Sequence, residues 1–97
     1  MAAYMVVDIT VSDPVKMQEY RKLSQVAVQR YGGRFLARGG KTEVIEGNWQ
    51  PERLVVIEFP SLAVAHSFYD SPEYLAARKT REGAGNFDMV AIEGYAP

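Results

Sequence analysis

The chain has 97 residues, with 11 Lys and Arg against 12 Asp and Glu, a formal net charge of −1 and no cysteine. That length sets a single domain over residues 1–97, and charges of both signs interspersed along it argue against a nucleic-acid footprint. Without cysteine there are no disulfides, no thiol catalysis and no thiolate metal site, so stability has to come from packing or association.

No apolar run is long enough to span a bilayer, and the opening MAAYMVVDIT lacks the basic flank of a signal peptide, so a cytoplasmic location off the membrane is expected. Tyr4 to Val11 is β-rich and reads as a strand. Asp13 can then cap a helix whose first turn accepts Pro14 without wasting an N–H. Met17, Tyr20, Leu23, Ala27 and Tyr31 recur at three- and four-residue spacing, the mark of an amphipathic helix, and Gly32 can close it.

Arg34 to Arg38 and Thr42 to Glu46 read as short strands on either side of Gly39-Gly40. The tetrapeptide Gly39-Gly40-Lys41-Thr42 imitates the end of a phosphate-binding loop. That motif needs a glycine five positions before Gly40, where this chain has Phe35, so the stretch is a turn. Asn48 to Pro51 is a connection, and Arg53 to Phe59 is the clearest strand, ended by Pro60. Ser61 and Ser71 start helical segments running to about Tyr69 and Arg81, and Phe87 to Tyr95 is the last strand. The order is β-α-β-β-α-β, an α+β ferredoxin-like arrangement in which an antiparallel sheet carries its helices on one face.

The alternation of the strands gives that sheet two apolar faces. Met5, Val7, Ile9, Phe35, Ala37, Val55, Ile57, Phe59, Val90 and Ile92 are assigned to the helix side. Tyr4, Val6, Leu36, Leu54, Val56, Met89 and Ala91 form a second set, with Asp8, Arg38, Glu58 and Glu93 among them. A second apolar face of this extent predicts an interface, and the simplest closed solution is a two-fold homodimer with sheets face to face.

Several motifs in order carry a family resemblance: Asp13-Pro14, Tyr31-Gly32-Gly33-Arg34-Phe35-Leu36-Ala37-Arg38-Gly39-Gly40, Glu46-Gly47-Asn48-Trp49 with Pro51, Arg53 through Ser61, and Ser71-Pro72-Glu73-Tyr74 followed by Arg78. Together they resemble the family called domain of unknown function 1330, across nearly the whole chain. The resemblance implies a dimeric α+β barrel. Within that superfamily lie cofactor-free oxygenases, lactone isomerases, haem-handling enzymes and amino-acid-sensing domains, so it leaves the chemistry open.

His66 is the only histidine and shares a helical face with Leu62 and Tyr69, so a histidine triad or a multi-histidine metal site has nothing to build on. His66, Tyr69 and Tyr74 are the candidates for proton handling. Arg78, one turn beyond Tyr74, is a candidate for holding a ligand between helix and sheet. Trp49 serves as a pocket lid or a dimer contact. Asp8, Arg38 and Glu58, on the predicted inter-sheet face, either pair with one another or form a polar centre. No cofactor is expected. Two function classes fit: a small-molecule enzyme of the cofactor-independent oxygenase or isomerase type, or a non-catalytic dimeric module binding a small ligand in the same pocket.

Overall fold

The computed structural model describes all residues, 1–97. Its elements are β1 (Ala3–Val11), α1 (Pro14–Arg30), β2 (Arg34–Arg38), β3 (Arg53–Phe59), α2 (Leu62–Tyr69), α3 (Pro72–Thr80) and β4 (Gly85–Glu93). The strands form one antiparallel sheet in the order β2-β3-β1-β4, with the helices on one side, which is the ferredoxin-like topology. Each helix starts where a side chain takes up free backbone N–H groups. Asp13 accepts from Val15 and Lys16, Ser61 from Val64, and Ser71 from Tyr74. Each such cap contributes about 1 kcal/mol. Ser71 breaks the second helical segment into α2 and α3, because it caps the new helix while its hydroxyl donates back to the Phe68 carbonyl at 2.7 Å.

The core lies between helices and sheet. Met5, Val7, Ile9, Val55, Ile57 and Phe59 point into it from the strands, and Met17, Ala27, Val28, Phe68 and Tyr74 meet them from the helices. Phe68 is its aromatic hub, with ring centroids 4.9 Å from Phe59 and 4.4 Å from Tyr74. The broken second helix lies close on the sheet, α2 touching β1, β3 and β4, whereas α1 packs mainly against α3.

Three expectations are corrected. The Thr42–Glu46 strand does not form. Residues 40–50 are all exposed, and Val44 and Ile45, adjacent in sequence, would point to opposite faces of a strand with neither face buried. In β4 the phase is reversed. Met89 lies opposite Val7 and Ala91 opposite Met5, so these face the helices, while Val90 and Ile92 lie opposite Val6 and Tyr4 on the outer face. The run Met89-Val90-Ala91-Ile92 is apolar throughout and carries no alternation from which its phase can be read.

The third correction bears on function. Phe35 is opposite Ile57, but Ala37 is opposite Val56 and Arg38 opposite Val55, because β2 bulges between Phe35 and Ala37. One extra residue in a strand reverses the side chains beyond it. Ala37 therefore sits on the outer face and Arg38 on the helix side.

Candidate functional site

The bulge delivers Arg38 to the rim of a cleft between α1 and the helix side of the sheet. Met5, Val7, Ile9, Phe35, Val55 and Ile57 form its sheet wall, and Met17, Tyr20, Arg21 and Ser24 of α1 form its cover. Phe68, Tyr74 and Met89 close the inner end, and Arg53 joins Arg21 and Arg38 among its lining residues. The empty space is about 460 Å³ with the open mouth included, of which about 30 Å³ is reachable by the centre of a water molecule. That is room for roughly two waters. Met5, Met17 and Met89 are the walls able to yield to something larger, since their unbranched chains rotate at low cost.

Two kinds of polar group meet in this cleft. At the inner end the Tyr20 and Tyr74 hydroxyls are hydrogen-bonded at 2.6 Å, and Arg81 donates to the Tyr74 oxygen at 3.1 Å. Burial, reinforced by Tyr20, pushes the Tyr74 hydroxyl well above the ordinary tyrosine range, so it keeps its proton. Arginine can only donate, so the Tyr74 oxygen accepts from Arg81, and either hydroxyl can donate within the pair; with Tyr74 donating, the Tyr20 hydroxyl is free to donate toward the cleft. At the rim, Arg38 donates to the Gln25 side chain at 2.8 Å and to the Arg21 carbonyl at 3.3 Å. Burial lowers the Arg38 and Arg53 pKa values from the ordinary guanidinium value, and the charge of Arg21 adds to the effect in both.

A neighbouring groove, with about 520 Å³ of empty space including its mouth and about 210 Å³ reachable by the centre of a water molecule, runs between α2 and strands β1 and β4, lined by Met5, Ala65, His66, Tyr69, Met89 and Ala91. Met5 and Met89 are walls common to both cavities. His66 is exposed at this groove. Tyr69 accepts a hydrogen bond from Arg78 at 2.8 Å, and the Arg78 guanidinium lies over its ring, 4.2 Å from the centroid. Tyr74 does not line this groove. It is 1% exposed, in the wall of the cleft, so the sequence-based trio of His66, Tyr69 and Tyr74 is divided between two cavities.

The charged residues assigned to the outer sheet face are not brought together. Arg38 is on the opposite side of the sheet and pairs with no carboxylate. Glu58 receives Arg34 Nε at 2.7 Å. Asp8 does lie on the outer face, where its Oδ2 accepts from Trp49 Nε1 at 3.0 Å and where Asp88 stands opposite it in the ladder. Trp49 is thus fixed to the outer face, on the other side of the sheet from the cleft. No group of three His, Asp or Glu residues is placed to hold a metal ion. No helix is long and apolar enough to cross a membrane.

The family model for the domain of unknown function DUF1330 matches residues 2–95. The chain belongs to the DUF1330 family. No curated protein sequence matches it. Among solved structures, this DUF1330 chain is similar to a protein of unknown function from Rhodopseudomonas palustris, with 18% identity, a TM-score of 0.76, and 99% of this chain and 84% of that chain covered. A dimeric ferredoxin-like protein of unknown function from Jannaschia shares 12% identity at a TM-score of 0.69, covering 97% of this chain and all of the other. The cofactor-independent oxygenase SnoaB of Streptomyces nogalater shares 11% identity at a TM-score of 0.66, covering 99% and 95%. At these identities the likeness establishes the ferredoxin-like fold.

Sequence reasoning placed Tyr20 in the core and passed over Arg21 and Arg53. Arg21 directly follows Tyr20 on α1, and Arg38 and Arg53 stand at the facing ends of β2 and β3, on either side of the long connection. Three arginines at element positions of this kind are a faint signal, and only the fold turns them toward one place.

Proposed function

We propose that this DUF1330 protein is a homodimeric small-molecule enzyme, of the cofactor-independent oxygenase or isomerase type, working in the cleft between α1 and the sheet. The observation that carries the reading is the Tyr20–Tyr74 hydroxyl pair, hydrogen-bonded at the inner end of a cleft whose walls inward of the arginine rim are mainly apolar. A small apolar molecule would be sequestered from water there, with the Tyr20 hydroxyl as a fixed donor to an oxygen that becomes negative during reaction. Proton removal falls to His66 in the adjoining groove, reached past Met5 and Met89, with Tyr69 and Arg78 forming the groove's polar side. The dimeric ferredoxin-like neighbour and the apolar outer face around Val6, Val90 and Ile92 support the homodimer.

One observation favours the second reading, a non-catalytic binding module: neither a carboxylate nor the imidazole lines the cleft itself. The two readings separate in one experiment. A panel of enolisable ketones and hydroquinones is incubated with the protein without added metal or flavin, while oxygen uptake and isomer formation are followed. Turnover that falls at least tenfold in both Tyr20→Phe and His66→Gln supports the enzyme. Saturable binding without turnover supports the module. Binding that neither variant changes, or that maps by NMR to the outer sheet face, refutes the cleft.

A further inference from the structure

We propose that the cleft selects a carboxylate-bearing ligand with an apolar body, its anionic head received at the rim by Arg21, Arg38 and Arg53. This rests on the cleft being a small-molecule site and goes further by naming the class of molecule.

Three guanidinium groups line one small opening, and none of the cleft's lining residues is acidic. Of the four arginines elsewhere, Arg30 lies 3.8 Å from Glu73 and Arg34 lies 2.7 Å from Glu58, while Arg78 and Arg81 donate to the Tyr69 and Tyr74 hydroxyls. None of the rim arginines has a carboxylate partner. Arg38 is held instead by neutral groups, the Gln25 amide, the Arg21 carbonyl and the Phe35 ring 4.2 Å from its Cζ, which fix its direction without supplying a countercharge. The Arg21 Nε is buried with no hydrogen-bond partner. A buried donor left unpaired and three like charges at one rim each oppose folding. An anion seated among them relieves both.

The chemistry of the head and of the body follows from the walls. Guanidinium forks match the planar, two-oxygen geometry of a carboxylate. Inward of the rim the wall is Met, Val, Ile and Phe, interrupted by Ser24 and the tyrosine pair. A ligand charged all over, such as a nucleotide or a sugar phosphate, would lose its hydration against that wall without recompense. An aryl or alkyl carboxylic acid places its charge at the rim and its hydrocarbon against the wall. The rim also depends on Gly39, which has φ +72°, because a β-carbon there would run into the Arg53 guanidinium.

The test is calorimetric and NMR titration with benzoate, 2-naphthoate and hexanoate, each against its neutral amide, and with inorganic phosphate. At least one carboxylate is expected to bind about tenfold or more tightly than its amide, and more weakly as salt is added. Arg38→Gln and Arg53→Gln should each erase that preference while leaving amide binding unchanged. Arg53→Gln should also hold or raise the thermal midpoint of the free protein, since it removes a repelled charge; Arg38→Gln also gives up the bonds to Gln25 and the Arg21 carbonyl. Amides that bind as well as the carboxylates overturn the proposal and leave the small-molecule cleft standing. Phosphate bound as tightly as the best carboxylate overturns the ligand class. Failure of every acid and every amide to shift the resonances of Tyr20, Phe35 and Ile57 overturns this proposal together with the cleft.

Discussion

The hydroxyl groups of Tyr20 and Tyr74 lie 2.6 Å apart in the interior, one on α1 and the other on α3, and they join those helices at the inner end of the cleft. Arg81 also donates to the Tyr74 oxygen, and a Tyr74 proton directed at the Tyr20 oxygen is the arrangement that leaves both groups partnered. Tyr20→Phe should therefore cost about 1–3 kcal/mol, by leaving the buried Tyr74 O–H without an acceptor. Tyr74→Phe, whose lost partners can turn to the cleft and to solvent, should cost about 1 kcal/mol. Urea denaturation measures both. The double variant should be no less stable than Tyr20→Phe alone, since replacing both members leaves no orphan.

The raised Tyr74 pKa has a signed consequence for stability. An unfolded tyrosine ionises near pH 10, while Tyr74 in the folded chain holds its proton above that. Above that pH the unfolded chain binds fewer protons than the folded one, so the contribution is complete below about pH 10 and declines as the pH rises further. Denaturation midpoints taken at about pH 8 and about pH 11 should fall more steeply in the wild type than in Tyr74→Phe. Equal slopes would show that Tyr74 ionises as readily folded as unfolded.

Gly39 and Gly40 are neighbours with opposite tolerance. Gly39 has φ +72° beneath the Arg53 side chain, whereas a β-carbon on Gly40 would meet nothing. Gly39→Ala should cost about 1–2 kcal/mol, the expense of a left-handed backbone for a residue with a β-carbon, and it should displace Arg53. Gly40→Ala should stay within about 0.5 kcal/mol of the wild type. Lys41→Ala should do the same, because Lys41 pairs only with Glu43, at 3.6 Å on the exposed connection. Thermal denaturation ranks the three, and an ATP titration with magnesium should give no binding that depends on Lys41.

The outer sheet face carries the row Val56, Val6 and Val90, paired across three strands. Val90 is 65% exposed in the single chain, so Val90→Lys should leave the monomer folded. Between two packed sheets the same ammonium would be buried without a partner, at a penalty of several kcal/mol. Light scattering at micromolar concentration should show twice the monomer mass for the wild type and the monomer mass for Val90→Lys, with matching circular dichroism spectra.

Local chemistry in the sequence was sufficient for the order of the elements that form, although it also suggested a Thr42–Glu46 strand that does not. Asp13, Ser61 and Ser71 are caps that announce their helices, β-branched runs mark β1 and β3, and the recurrence of Met17, Tyr20 and Ala27 selects the buried side of α1. These signals act within a few residues, so they can be read without knowing what the segment packs against. The second apolar face was also legible in β1 and β3, where both sets of alternating side chains are mostly apolar.

Tertiary pairing decided which way the rest faces. The bulge between Phe35 and Ala37 is visible only against β3, and it turns Arg38 from the outer face to the cleft. The all-apolar β4 takes its phase from β1. Arg21, Arg38 and Arg53 come from three elements, and Tyr20 and Tyr74, on different helices, are 54 positions apart in sequence, so no local pattern links them. A sequence states what each short segment prefers, while a site is made by side chains that meet only after strand register and helix packing have fixed their directions.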